Sequence, residues 1–191
     1  MSEQTPGVRY AEIEQETNMT RIRVVIDLDG MSLMKPAVDT GVGMFDYLLS
    51  LFAKAGKLEI GVSAEGDLSV DDQNIVREVG VCIGKALRLA IGAADGIRGV
   101  GSATVPVEDV LVLSAVEFAG RSHLNTNISF TNERLGGLST ECIQEFFRAV
   151  TVNSGMTVHI RQMEGTNNHH LAEAAFRSFG HALQFALSRT E

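Results

Sequence analysis

The sequence predicts an α+β fold built from two duplicated ββαβα halves, and three observations predict it. Hydrophobic spacing switches between period two and period 3.6 in the same order twice along the chain. Ala94-Asp95-Gly96 interrupts the pattern near the middle. Residues also recur across that break: Gly84-Lys85-Ala86-Leu87-Arg88-Leu89-Ala90 lies 96 positions before Gly180-His181-Ala182-Leu183-Gln184-Phe185-Ala186. Glu65-Gly66 precedes Glu164-Gly165 by 99, so the strand-to-helix loop differs by three residues. The repeats run over 8–93 and 98–191, within one unit.

In chain order, 8–15 and 21–28 read as strands, the second with Ile22, Val24, Ile26 and Leu28 alternating against more polar neighbours. Asp29-Gly30 turns the chain, and Lys35-Pro36 lies in a surface loop or a lid. Residues 43–55 form a helix carrying Phe45, Leu48, Leu49 and Phe52, followed by a strand at 57–64. The segment 72–91 repeats Val76, Val79, Ile83, Leu87 and Ala90 at spacings of three and four, a long amphipathic helix. After the break, strands are expected at 109–118 and 123–130. A Gly136-Gly137 loop, a helix at 140–153, a strand around His159 and a helix at 168–188 complete the second half.

Chemistry concentrates in Asn168-His169-His170-Leu171-Ala172-Glu173. On a helix, Glu173 shares a face with His169 at i, i+4 and with His170 at i, i+3. His159 sits ten residues upstream in an alternating run, Met156-Thr157-Val158-His159-Ile160. Imidazole with carboxylate suits zinc, iron, nickel or manganese, and the residues alone do not choose among them. The plainer alternative has the histidines capping a helix and Glu173 as a solvated surface charge.

Composition narrows the remaining classes. With 191 residues and 45% hydrophobic content, the chain can bury a full core. Twenty-four acidic against sixteen basic residues give a net charge of -8 with no basic block, which argues against nucleic acid and anionic membrane as partners. Cys82 and Cys142 have neither metal-site spacing nor a disulfide framework, and the polar start Met1 to Arg9 holds no apolar export segment. A cytoplasmic location is the expectation.

The chain resembles the imidazoleglycerol-phosphate dehydratase family, the manganese lyases of histidine biosynthesis. The resemblance rests on Leu28-Asp29-Gly30, the run from Thr40 to Leu49, Gly66-Asp67-Leu68 with Asp71-Asp72, and Gly120-Arg121. Above all it rests on Ser154-Gly155-Met156-Thr157-Val158-His159-Ile160 followed by Asn168-His169-His170-Leu171-Ala172-Glu173-Ala174. It implies helices packed between two sheets, as in ribosomal protein S5 domain 2-like folds, and a homo-oligomer of twenty-four subunits with active sites at subunit interfaces. The implied ligand is a phosphorylated imidazole, and the implied cofactor is manganese, held by His159, His169, His170 and Glu173 with ligands from the first half. Arg121 matches a phosphate contact, Arg177 stands where a phosphate-binding lysine is usual, and Arg98 adjoins a further phosphate-arginine position that is Gly99 here.

The departures fall on the first half. The family's ligand positions there are Tyr47, Gln73, Asn74 and Arg77 in this chain, and the acidic proton-shuttle position is Met19. Carrying the repeat offset of 96 back from His169, His170 and Glu173 lands on the same Gln73, Asn74 and Arg77. Amides are weak ligands and arginine only donates. The resemblance therefore implies a dehydratase homologue that is inactive or very weak alone, with no catalytic residue assigned. One consequence of the exchange is an Arg77 that faces Glu173 of a neighbouring copy in place of the metal charge. Alternatively, the chain is a non-catalytic or half-site subunit that co-assembles with an intact paralogue.

Overall fold

The computed structural model describes residues 8–30, 37–66 and 72–190. The Lys35-Pro36 loop, and Asp67, Leu68 and Asp71 of the family-like segments, lie outside the described residues. The first half comprises β1 (Tyr10–Glu16), β2 (Thr20–Asp27), β3 (Val38–Asp39), α1 (Gly43–Gly56), β4 (Glu59–Gly66) and α2 (Asp72–Ile91). The second comprises β5 (Val100–Val107), β6 (Val110–Glu117), β7 (His123–Thr126), the short hairpin β8 (Arg134–Leu135) and β9 (Leu138–Ser139), α3 (Thr140–Ser154), β10 (Thr157–Glu164) and α4 (Asn168–Leu187).

The two large sheets have the same topology, β1-β2-β4-β3 and β5-β6-β10-β7. In each, three strands run antiparallel and the short edge strand pairs parallel to its neighbour. Alternation places Ile22, Val24 and Ile26 of β2, and Val112, Ser114 and Val116 of β6, on the covered faces. α2 packs on the first sheet and α4 on the second, while α1 meets α4 and α2 meets α3. Helices thus fill the space between two sheets.

Phenylalanines form the centre of that space. Phe45, Phe52, Phe146, Phe147, Phe176 and Phe179 are buried, with Phe52 stacked on Phe179 at 5.3 Å and Phe45 edge-on to Phe146 at 5.3 Å. Both pairs join one half to the other. Each buried ring contributes about 1.5–3 kcal/mol, so the halves share one core. Cys82 lies in it, and burial pushes its thiol up to about 11, which keeps it protonated and unreactive.

Two sequence expectations change in the second half. Strand β5 was not predicted, because its inward residues Gly101, Ala103 and Val105 are small or lie beside Pro106 and give little periodic signal. The reason is packing. α4 runs so close over this strand that a Cβ on Gly101 would overlap the backbone of Ala182 and Ala186. Pro106 is tolerated because β5 is an edge strand. The predicted 123–130 strand shortens to His123–Thr126, and the remainder is a loop fastened by Gln162, which accepts from Ser129 N at 3.0 Å.

At the opposite end, Arg9 ties the first half to the last helix. Its guanidinium forks onto Asp29 Oδ1 at 2.6 Å and donates to the Leu187 carbonyl, also at 2.6 Å, capping α4. The hydrogen bonds from Arg9 hold the Asp29 carboxyl below its ordinary value. A lowered carboxylate pKa contributes stability at neutral pH that is lost as pH falls through the folded value. In urea unfolding, Asp29→Asn is therefore expected to be less stable than wild type at pH 7, by about 1 kcal/mol after allowing for partial exposure. The gap should close below about pH 4, and a gap independent of pH would sink this assignment.

Candidate functional site

The predicted chemistry does gather at the start of α4. Asn167 caps the helix, its side chain accepting from His169 N at 3.0 Å and His170 N at 3.1 Å. The cap is thus Asn167, and the two rings are free to reach elsewhere. Asn168 is buried and fixes the helix start to the loop between β7 and β8, accepting from Thr131 N at 2.8 Å and donating to Thr131 Oγ1 at 2.8 Å.

Glu173 is not a solvated charge: its side chain is 9% exposed. Its Oε1 accepts from the Tyr47 hydroxyl at 2.6 Å and lies 3.0 Å from His169 Nε2, while Oε2 accepts from Arg177 at 3.0 Å. Tyr47 comes from α1 and the other three from α4, so the cluster bridges the halves. The ring of Tyr47 lies nearly parallel to His169, with centroids 6.1 Å apart. The Glu173 carboxylate, by accepting the phenolic proton, pushes the Tyr47 pKa above its usual value.

The remaining predicted residues lie apart from this cluster. His170 turns toward the β5–β6 hairpin, with Nδ1 3.0 Å from Asp109 Oδ1, and this hydrogen bond holds the Asp109 carboxyl below its usual range. His159 occupies the face of β10 opposite to the buried Val158 and Ile160, beside the exposed ring of His123 at 6.0 Å. Arg121 is exposed near the start of β10, where its carbonyl accepts from Thr157 Oγ1. Arg98 donates its N–H to the Ser188 carbonyl past the far end of α4, roughly 30 Å from the histidines by helix rise.

In the first half, Met19 is 56% exposed in the β1–β2 turn. Gln73 lines an open cavity of about 840 Å³ with Ser129, Thr131, Glu133 and Gln144. Asn74 accepts from Arg77 at 3.4 Å, and Arg77 pairs with Glu78 at 3.1 Å. Within one chain, the cation facing Glu173 is thus Arg177, and Arg77 has its own carboxylate.

These residues do not fit a metal ion within a single chain. Among the described residues no group of three His, Cys, Asp or Glu side chains converges as a metal would require. A cation at Glu173 would have to displace the Tyr47 hydroxyl and sit beside the Arg177 guanidinium. Sequence reasoning missed Asp109 because the residue was placed at the head of a strand, and only the β5–β6 hairpin makes it a turn residue facing His170.

The model of the family described as imidazoleglycerol-phosphate dehydratase matches residues 40–183. The chain belongs to the imidazoleglycerol-phosphate dehydratase family. An imidazoleglycerol-phosphate dehydratase of Desulforamulus reducens is 42% identical over 183 residues, covering 96% of this chain and 92% of the relative. One from Moorella thermoacetica is 43% identical over 180 residues, covering 94% and 91%. Among solved structures, the dehydratase of Staphylococcus aureus superposes with a TM-score of 0.85 at 30% identity, covering 95% of this chain and 99% of that one. The dehydratase fold is thus retained nearly end to end, and Tyr47, Glu173 and Arg177 all fall inside the matched segment.

Proposed function

We propose that this chain is a dehydratase homologue of histidine biosynthesis whose own oligomer turns over imidazoleglycerol phosphate very weakly or not at all. The observation that carries this reading is the occupancy of Glu173 by Tyr47, His169 and Arg177. The dehydration removes a proton from carbon beside a weakly acidic imidazole, chemistry for which the family uses manganese to stabilise the anion. Here no carboxylate shuttle stands at Met19, and the first-half positions offer only Tyr47, Gln73, Asn74 and Arg77. Loss of the proton shuttle alone forfeits on the order of 10²–10⁴ in rate.

A second reading has the chain as a half-site subunit in the family's twenty-four-subunit assembly, beside an intact paralogue. Two placements favour it. His159 lies on an outer sheet face, and the hydrogen bond of His170 Nδ1 to Asp109 leaves Nε2 as the ring's other nitrogen. Arg121 and Arg98, both exposed, would then serve a phosphate across an interface rather than within the chain.

The test is to express the chain alone and together with an intact relative, then record native mass spectra and turnover of imidazoleglycerol phosphate with manganese. Homo-oligomers of this chain without turnover, alone and after separation from the co-expressed relative, support the first reading. Mixed oligomers that are active support the second. Turnover by the homo-oligomer at rates ordinary for an enzyme, ~10 s⁻¹, overturns both.

A further inference from the structure

Glu173 is a nearly buried carboxylate at the junction of α1 and α4, and such a charge persists only when it is paired and hydrogen-bonded. Its oxygens are supplied from both halves. Oε1 accepts from the Tyr47 hydroxyl and lies 3.0 Å from His169 Nε2, and Oε2 takes the Arg177 guanidinium one helical turn away. We infer that Tyr47, Glu173 and Arg177 form a metal-independent clamp between α1 and α4, in which a phenolic proton and a guanidinium neutralise the carboxylate that a bound cation would otherwise serve.

The geometry supports a structural clamp rather than a chance contact. Tyr47 reaches across from the first half, so its hydrogen bond spans two helices rather than one helical face. Directly beneath it, α1 and α4 cross closely, with Phe52 stacked on Phe179. The near-parallel ring of His169 flanks that of Tyr47. Arg177, at i+4 from Glu173, brings its guanidinium from the same helix, so the pairing needs no metal.

The inference rests on the proposed reading that the chain does not use a metal of its own, and it is tested separately from it. Thermal unfolding of the full protein is recorded in EDTA and in millimolar MnCl2, for wild type, Tyr47→Phe, Glu173→Gln and the double variant. The expected result is one wild-type Tm in both solutions and a fall of roughly 3–10 °C for Tyr47→Phe. The double variant should show less than the sum of the single shifts, because both remove the same contact. A wild-type Tm that rises with manganese or falls with EDTA overturns the clamp, as do strictly additive single effects. Turnover is measured on the same samples. Activity with a metal-insensitive Tm rejects the proposed function and leaves the clamp standing, whereas a metal-sensitive Tm without activity does the reverse.

Discussion

Restoring the first-half positions together, as Tyr47→His, Gln73→His, Asn74→His and Arg77→Glu, is expected to give a protein that retains manganese near stoichiometrically through dialysis. The parent is expected to retain none. The structure explains why the three changes on α2 are cheap. Gln73 and Arg77 are exposed on α2 and Asn74 is half-buried beside them, so each substitution costs within about 0.5 kcal/mol. Tyr47→His removes the phenolic donor from Glu173 Oε1 and frees that oxygen, while Oε2 stays with Arg177. Adding Met19→Glu returns a carboxylate to the exposed β1–β2 turn. Turnover of imidazoleglycerol phosphate should then rise by at least 10²-fold, on the order contributed by one positioned proton carrier. Elemental analysis after dialysis and a turnover assay read the two effects separately. A restored chain that binds no manganese would falsify the claim that these positions limit the site.

Gly180→Ala is expected to be strongly destabilising, because the added methyl would fall where α1 crosses α4. A Cβ at this position would sit 2.6 Å from the Phe52 carbonyl oxygen, 2.9 Å from Ala55 Cβ and 3.0 Å from Gly56 N. Two of those atoms are backbone, so relief requires moving α1 away from α4 and loosening the Phe52–Phe179 stack. Overpacking of this kind costs about 3 kcal/mol, or ~6–12 °C in Tm for a chain of this size. Its repeat partner behaves alike: a Cβ on Gly84 would lie 2.7 Å from the Val150 carbonyl and 2.8 Å from Asn153 Cβ, where α2 crosses α3. Thermal unfolding of Gly180→Ala checks the claim, and a Tm within two degrees of wild type would reject the tight crossing.

Much of this was legible before any coordinates. The recurrence of glycine at 84 and 180 marked the repeat, and both residues serve at helix crossings between the halves. Period 3.6 over 72–91 and 168–188 located the long helices, because their buried stripes are made of large apolar side chains. Period two located β2 and β6 for the same reason. It failed at β5, where close contact with α4 demands Gly101 and other small residues, and small residues leave little hydrophobic signal. The His169–Glu173 pair was readable from spacing, since both belong to one helix. Tyr47 beside Glu173 was not, since 126 residues separate them and their meeting depends on how α1 crosses α4.

The sequence by itself determined the order of elements, the repeat, family membership and the replacement of the first-half ligands, because local spacing and residue identity record what each segment can bury or bind. Only the tertiary structure decided which charges meet. Helix crossing put Tyr47 and Arg177 on a buried Glu173, hairpin geometry put Asp109 on His170, and strand alternation put His159 on a face that α4 does not touch. Those partners are chosen by the relative placement of elements far apart in the chain, and the pairing of a buried carboxylate is fixed by whichever donors that placement brings within about 3 Å.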